Sequence, residues 1–121
     1  MSKPRSETIE EITVEELAAW LDEGKPVALL DVREAWEHDL AALPGSTLLP
    51  LGELSDSDLD LGDDPGSSAG GRALLVYCHH GVRSLSAVAI LRDKGWPGAL
   101  YSLAGGIDAW SCRIDPSVPR Y

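Results

Sequence analysis

Residues 74 to 84, Leu-Leu-Val-Tyr-Cys-His-His-Gly-Val-Arg-Ser, constrain the fold more than any other stretch of this chain. Leu74, Leu75, Val76 and Tyr77 form a bulky apolar block suited to a strand buried on both faces. The apolar stretch Leu85 to Leu91, closing at Lys94-Gly95, has the length of a helix. A buried strand that passes into a helix through so short a loop belongs in a parallel α/β sheet covered on both sides. Cys78 then lies where the strand meets the helix N-terminus, at the carboxyl edge where open α/β sheets bind ligands. Loop N–H groups and the positive end of the helix dipole favour negative charge there, so Cys78 is expected to act as a thiolate. Arg83, His79 and His80 would add positive charge. Gly81 can take the positive φ of a closed loop and leaves room for a ligand against the backbone. Arg83 offers a planar, permanently charged fork to an anionic substrate.

The rest of the chain repeats the alternation. Thr8 to Ile12 suits a short strand, and Thr13 with Glu16 has the spacing of a capping box. Val14, Leu17, Ala18 and Leu21 share one helix face, and Gly24 is placed to end that helix. The spacing predicts a strand over Pro26 to Asp31, a weak helix over Glu34 to Ala41 and a short strand over Ser46 to Pro50. Further strands are predicted at 73 to 77 and Ala99 to Leu103, with helices at 84 to 94 and Ile107 to Cys112. Residues 52 to 72 carry six carboxylates, from Glu53 to Asp64, and then a Gly/Ser-rich run. That composition buries little, so a short helix at most and then a surface loop are expected. The expected organisation is an N-terminal tail over residues 1–7 and one domain over 8–121, with the acidic loop at about 52–72.

Composition narrows the function classes. The 121 residues suffice for one domain with a core, and 44% are apolar. The net charge of −10 argues against nucleic acid or an anionic membrane as the main partner. The charge is uneven. Residues 1 to 77 hold 5 basic and 17 acidic side chains, whereas residues 78 to 121 hold 5 basic and 3 acidic, so the half carrying the loop favours anions. No stretch has the length of a membrane span, and the start lacks a signal-peptide core, so a cytoplasmic location is expected. The two cysteines, Cys78 and Cys112, are too few for a disulfide scaffold.

Cys78-His79-His80-Gly81-Val82-Arg83-Ser84 resembles the active-site loop of rhodanese-type sulfurtransferases, Cys-x-x-Gly-x-Arg-Ser. Asp31-Val32-Arg33-Glu34 followed by Glu37-His38 is similar to that family's Asp-Val-Arg-Glu block. Leu103 to Trp110 is similar to its Gly-Gly-x-x-x-Trp block, and Pro44-Gly45-Ser46 followed by Pro50 to the segment between. Where many relatives have a histidine before an Ile-Pro-Gly step, this chain has Ala41-Ala42-Leu43-Pro44, a departure that bears on local packing. The ending Asp115 to Tyr121 resembles the tail of rhodanese domains fused to adenylyltransferases in sulfur-carrier pathways.

The resemblance implies an α/β fold with a five-stranded parallel sheet in the order 1-5-4-2-3 and helices on both faces. It implies that Cys78 is the nucleophile and carries a persulfide, with Arg83 orienting the donor. His79, His80, Gly81, Val82 and Ser84 would form the substrate-binding loop. Asp31, Arg33 and Glu34 would mainly brace the fold, Arg33 being the one expected to reach the pocket. The implied donor is thiosulfate or a persulfide, for which a cysteine desulfurase is one source. The implied acceptor is a thiol or a sulfur-carrier protein, and no metal or organic cofactor is required. Two rivals exist. Phosphatases and arsenate reductases of related fold use a loop one residue longer, which fits a tetrahedral oxyanion, whereas Cys78 to Arg83 is the shorter form. A binding module of this fold without catalysis usually lacks the cysteine, which this chain keeps.

Overall fold

The computed structural model describes residues 10–56, 72–96 and 98–121. The predicted strand start at Thr8 and Ile9, the tail, and the acidic loop from residue 57 to 71 lie outside the described residues. The elements run β1 (Glu11–Ile12), α1 (Val14–Asp22), β2 (Val27–Asp31), α2 (Ala35–Leu40), β3 (Thr47–Leu48), α3 (Leu51–Leu54), β4 (Ala73–Tyr77), α4 (Val82–Asp93), β5 (Leu100–Leu103) and α5 (Gly106–Arg113). All four strand pairings are parallel, and the sheet order is β1-β5-β4-β2-β3. This is the order the family resemblance implies.

Period-two alternation divides the strand side chains between two apolar layers. On one face Leu29, Leu75, Tyr77 and Leu103 pack with Val14 and Leu17 of α1 and with Ile107 and Trp110 of α5. On the other, Ala28, Leu30, Leu74, Val76 and Cys78 pack with Ala87, Val88 and Leu91 of α4 and with Leu54 of α3. Both faces are covered, which is why β2 and β4 read as unbroken apolar runs.

Local chemistry sets the boundaries. Thr13 caps α1 through a reciprocal box, its Oγ1 accepting from the Glu16 N–H at 3.1 Å and Glu16 Oε1 accepting from the Thr13 N–H at 2.9 Å. Helix α4 starts at Val82, two residues before the predicted start at 84. The reason is its cap, Gly81 at φ 106°, which turns the chain through a left-handed conformation with no capping side chain to mark the place. Register places the site. Asp31 pairs with Tyr77 and Val76 with Ser102, so the segments following β2, β4 and β5 emerge together at one carboxyl edge. Among the described residues no helix is long and apolar enough to cross a membrane.

Candidate active site

Cys78 follows β4, the central strand, and is 1% exposed. Its Sγ accepts N–H groups from Gly81 at 3.1 Å and Ser84 at 3.3 Å, the cap and first turn of α4. Of the loop N–H donors expected between His79 and Ser84, these two meet the sulfur, and with the helix dipole they favour negative charge on it. The Ser84 hydroxyl lies 3.6 Å from Sγ and 2.7 Å from the Ser102 hydroxyl. Both serines are buried, so two hydroxyls line up behind the sulfur.

The loop is fixed from beneath by the start of α5. The N–H groups of Ile107 and Asp108 donate to the carbonyls of Cys78 at 2.9 Å and His79 at 3.1 Å. Gly106, at φ 61°, makes that approach possible, because a Cβ there would stand 2.4 Å from both carbonyl oxygens. Thus the Gly105-Gly106 block seals the cysteine loop onto the helix behind it.

Arg83 is 34% exposed, and its guanidinium is gripped end-on by Glu37, NH1 to Oε1 at 2.7 Å and NH2 to Oε2 at 2.9 Å. Those bonds raise the Arg83 pKa, the Glu37 carboxylate being the first cause. The Arg83 bonds likewise hold the Glu37 pKa down at about 2, although burial opposes them. The charge of Arg83 is therefore largely answered before any ligand arrives, and what remains is its geometry and its other N–H donors.

Asp31 and Arg33 are both buried and joined in a bidentate pair, Nε to Oδ1 at 2.8 Å and NH2 to Oδ2 at 2.7 Å. Burial alone would lower the Arg33 pKa, but the bonds to Asp31 and Tyr121 outweigh it and the net direction is up. Arg33 was expected to reach the pocket. It is instead enclosed, with a further donation to the Ala41 carbonyl, because a buried guanidinium must spend its donors on acceptors nearby. His38 Nδ1 stands 2.8 Å from Asp31 Oδ2. Glu34 is exposed at the cap of α2, its N–H donating to Glu37 Oε1 at 3.0 Å.

His79 and His80 stack on each other with ring centroids 4.0 Å apart. The His79 pKa is lowered, first by burial and then by His80, so near neutral pH this ring adds little of the positive charge expected of it. Val82 is 73% exposed beside the loop, and Trp36, 60% exposed, meets Tyr121 edge to face. Trp36 is thus a surface residue near the loop rather than the packing residue its type suggests. Cys112 is exposed on α5.

Among the described residues, His79, His80 and Asp108 bring candidate metal-ligand atoms within 4.8 Å of one another. Stacked imidazoles point their in-plane lone pairs side by side, and one ion at about 2.0–2.1 Å from both would lie out of a ring plane. Asp108 is already paired with Arg120, at 2.9 Å and 3.3 Å. The group is better described as a charge cluster than as a tetrahedral site.

Sequence reasoning alone did not single out Glu37, Ser102, Asp108 or Tyr121. Glu37 stands in the block that follows Asp31 and Arg33, and Tyr121 in the tail, which were the available signals. Asp108 stands at a variable position of the Gly-Gly-x-x-x-Trp block, and Ser102 had no signal, since only strand register brings it to the loop.

The model of the rhodanese-like domain matches residues 13–112. The chain is 36% identical over 110 residues to a probable adenylyltransferase/sulfurtransferase, MoeZ, of Mycobacterium tuberculosis, covering 91% of this chain and 26% of that protein. It is 36% identical over 127 residues to the adenylyltransferase and sulfurtransferase MOCS3 of Mus musculus, covering 93% and 28%. The chain therefore spans about a quarter of the length of these curated relatives. Among solved structures, a rhodanese-like domain protein from Staphylococcus aureus superimposes with a TM-score of 0.72 at 27% identity, covering 93% of this chain and 99% of that one. The human single-domain sulfurtransferase TSTD1 shares the fold, with a TM-score of 0.68 at 23% identity over 88% and 98%.

Proposed function

Because the chain belongs to the rhodanese-like domain family, a family with sulfurtransferase members, we propose that it transfers a sulfane sulfur through a persulfide on Cys78. The observation that carries this reading is the pair of N–H donors from Gly81 and Ser84 on Cys78 Sγ at the start of α4. Preorganised donors of this kind stabilise developing anionic charge, one typically being worth about 2.7–4 kcal/mol in an oxyanion hole.

With thiosulfate as donor, the Cys78 thiolate attacks the sulfane sulfur. A new S–S bond forms, the old one breaks, and its electron pair leaves on sulfite. The terminal persulfide sulfur inherits the negative charge. Arg83, held in place by Glu37, orients the donor anion with its remaining N–H groups. A nucleophilic acceptor then attacks the terminal sulfur, and the pair of the breaking S–S bond returns to Sγ. Cyanide serves as that acceptor in an assay. A thiol, small or borne by an acceptor protein, fits the same chemistry. No step calls for a metal or an organic cofactor. A donor persulfide, such as that of a cysteine desulfurase, would replace thiosulfate without changing the bonds made and broken.

The test is thiocyanate formation from thiosulfate and cyanide by the wild type and by Cys78→Ser. Turnover that disappears in the variant supports the reading. Equal turnover in both, or hydrolysis of an aryl phosphate with no thiocyanate, overturns it.

A further inference from the structure

Tyr121 is separated from the cysteine loop in sequence by α4, β5 and α5, yet it touches both sides of the Arg83 site. Its hydroxyl accepts from Arg33 NH1 at 2.7 Å and lies 2.8 Å from Glu37 Oε2. Arg33 can only donate, so the single phenolic hydrogen must point to Glu37. That carboxylate in turn takes both terminal nitrogens of Arg83. The other end of the chain of bonds is rigid, because Arg33 is fully buried and held by both oxygens of Asp31. A continuous line therefore runs Asp31, Arg33, Tyr121, Glu37, Arg83, from the interior to a guanidinium one-third exposed.

The Tyr121 ring is placed as firmly as its hydroxyl. It stacks on His79 with centroids 4.1 Å apart and planes 13° from parallel, and the neighbouring Arg120 is paired with Asp108 at 2.9 Å. We propose that Tyr121 is a positioning residue for Arg83, acting through Glu37 to hold the guanidinium in the orientation that receives an anionic sulfur donor. The inference rests on the reading of Arg83 given above.

Its test uses two alkylating agents of similar size, iodoacetate and iodoacetamide, with the rate at Cys78 followed by peptide mass so that Cys112 does not contribute. The ratio of the two rates reports anion guidance and cancels any general loosening of the loop, which would change both rates together. Tyr121→Phe is expected to lower the iodoacetate to iodoacetamide ratio on the order of fivefold. The iodoacetamide rate should stay within about twofold of wild type, the margin that keeping the ring in place allows. His79, followed by NMR, should keep its lowered pKa in Tyr121→Phe and return toward the ordinary histidine value in Tyr121→Ala, where the covering ring is gone. Arg83→Lys serves as the reference for lost guidance. If Arg83→Lys lowers the ratio and Tyr121→Phe does not, the inference fails while the reading of Arg83 stands. If neither variant changes the ratio, the reading of Arg83 fails and takes the inference with it.

Discussion

Glu37 is the residue on which the site's electrostatics turn. Its carboxylate accepts from Arg83 twice, from Tyr121 and from the Glu34 N–H, and its pKa falls from the ordinary 4.5 to about 2. Between those values the unfolded chain binds a proton that the folded chain does not. The contribution to stability is complete above about pH 4.5 and is lost as pH falls through about 2. Urea unfolding of the wild type and Glu37→Gln should therefore differ by roughly 3 kcal/mol near neutral pH, with the gap closing toward pH 2. A gap that persists unchanged at pH 2 would remove the charge from the explanation. At this scale the sequence was informative where chemistry is local. Cys78, Gly81 and Ser84 fall within seven consecutive positions and meet at one sulfur. Glu37 and Tyr121 reach the same loop from distant segments, and pairings of that separation leave no periodic trace in a sequence.

Elements explain how the loop is held. The start of α5 donates two N–H groups to the cysteine loop, and Gly106 is the position where a side chain would break the seal. An alanine at Gly45, also at positive φ, would meet nothing within 4 Å and should cost about 1–2 kcal/mol for the left-handed backbone alone. Gly106→Ala bears a similar strain and must also push two carbonyls away from its Cβ. It should lose more stability than Gly45→Ala and most of its sulfur transfer, as read by urea titration and thiocyanate assay. Equal losses in both variants would mean that the seal is unimportant. At the start of α1, Thr13→Ala should cost about 1 kcal/mol through the lost cap and leave activity per folded molecule unchanged. That capping box was legible because its two partners are three residues apart. The start of α4 was less so, since a glycine cap carries no side-chain signal.

The molecule as a whole is a parallel sheet whose carboxyl edge gathers the cysteine loop, the Asp31-Arg33 pair and the glycine block. The alternation of strands and helices followed from apolar runs, because burial on both faces imposes continuous hydrophobicity on β2 and β4, whereas the strand order followed from the family resemblance alone. Side-chain directions at the edge did not follow, since they depend on register and on which donors a buried guanidinium can satisfy. Leu75, fully buried in the central strand, carries the core, and Leu75→Ala should cost about 2–5 kcal/mol by thermal or urea unfolding. The central claim is that Cys78 carries the sulfur, and intact mass spectrometry after thiosulfate treatment tests it most directly. The account predicts one added sulfur atom on the wild type, located at Cys78 and removed by cyanide, with none on Cys78→Ser; an equal gain on the variant, or a wild type that gains nothing from thiosulfate or a persulfide donor, would contradict it.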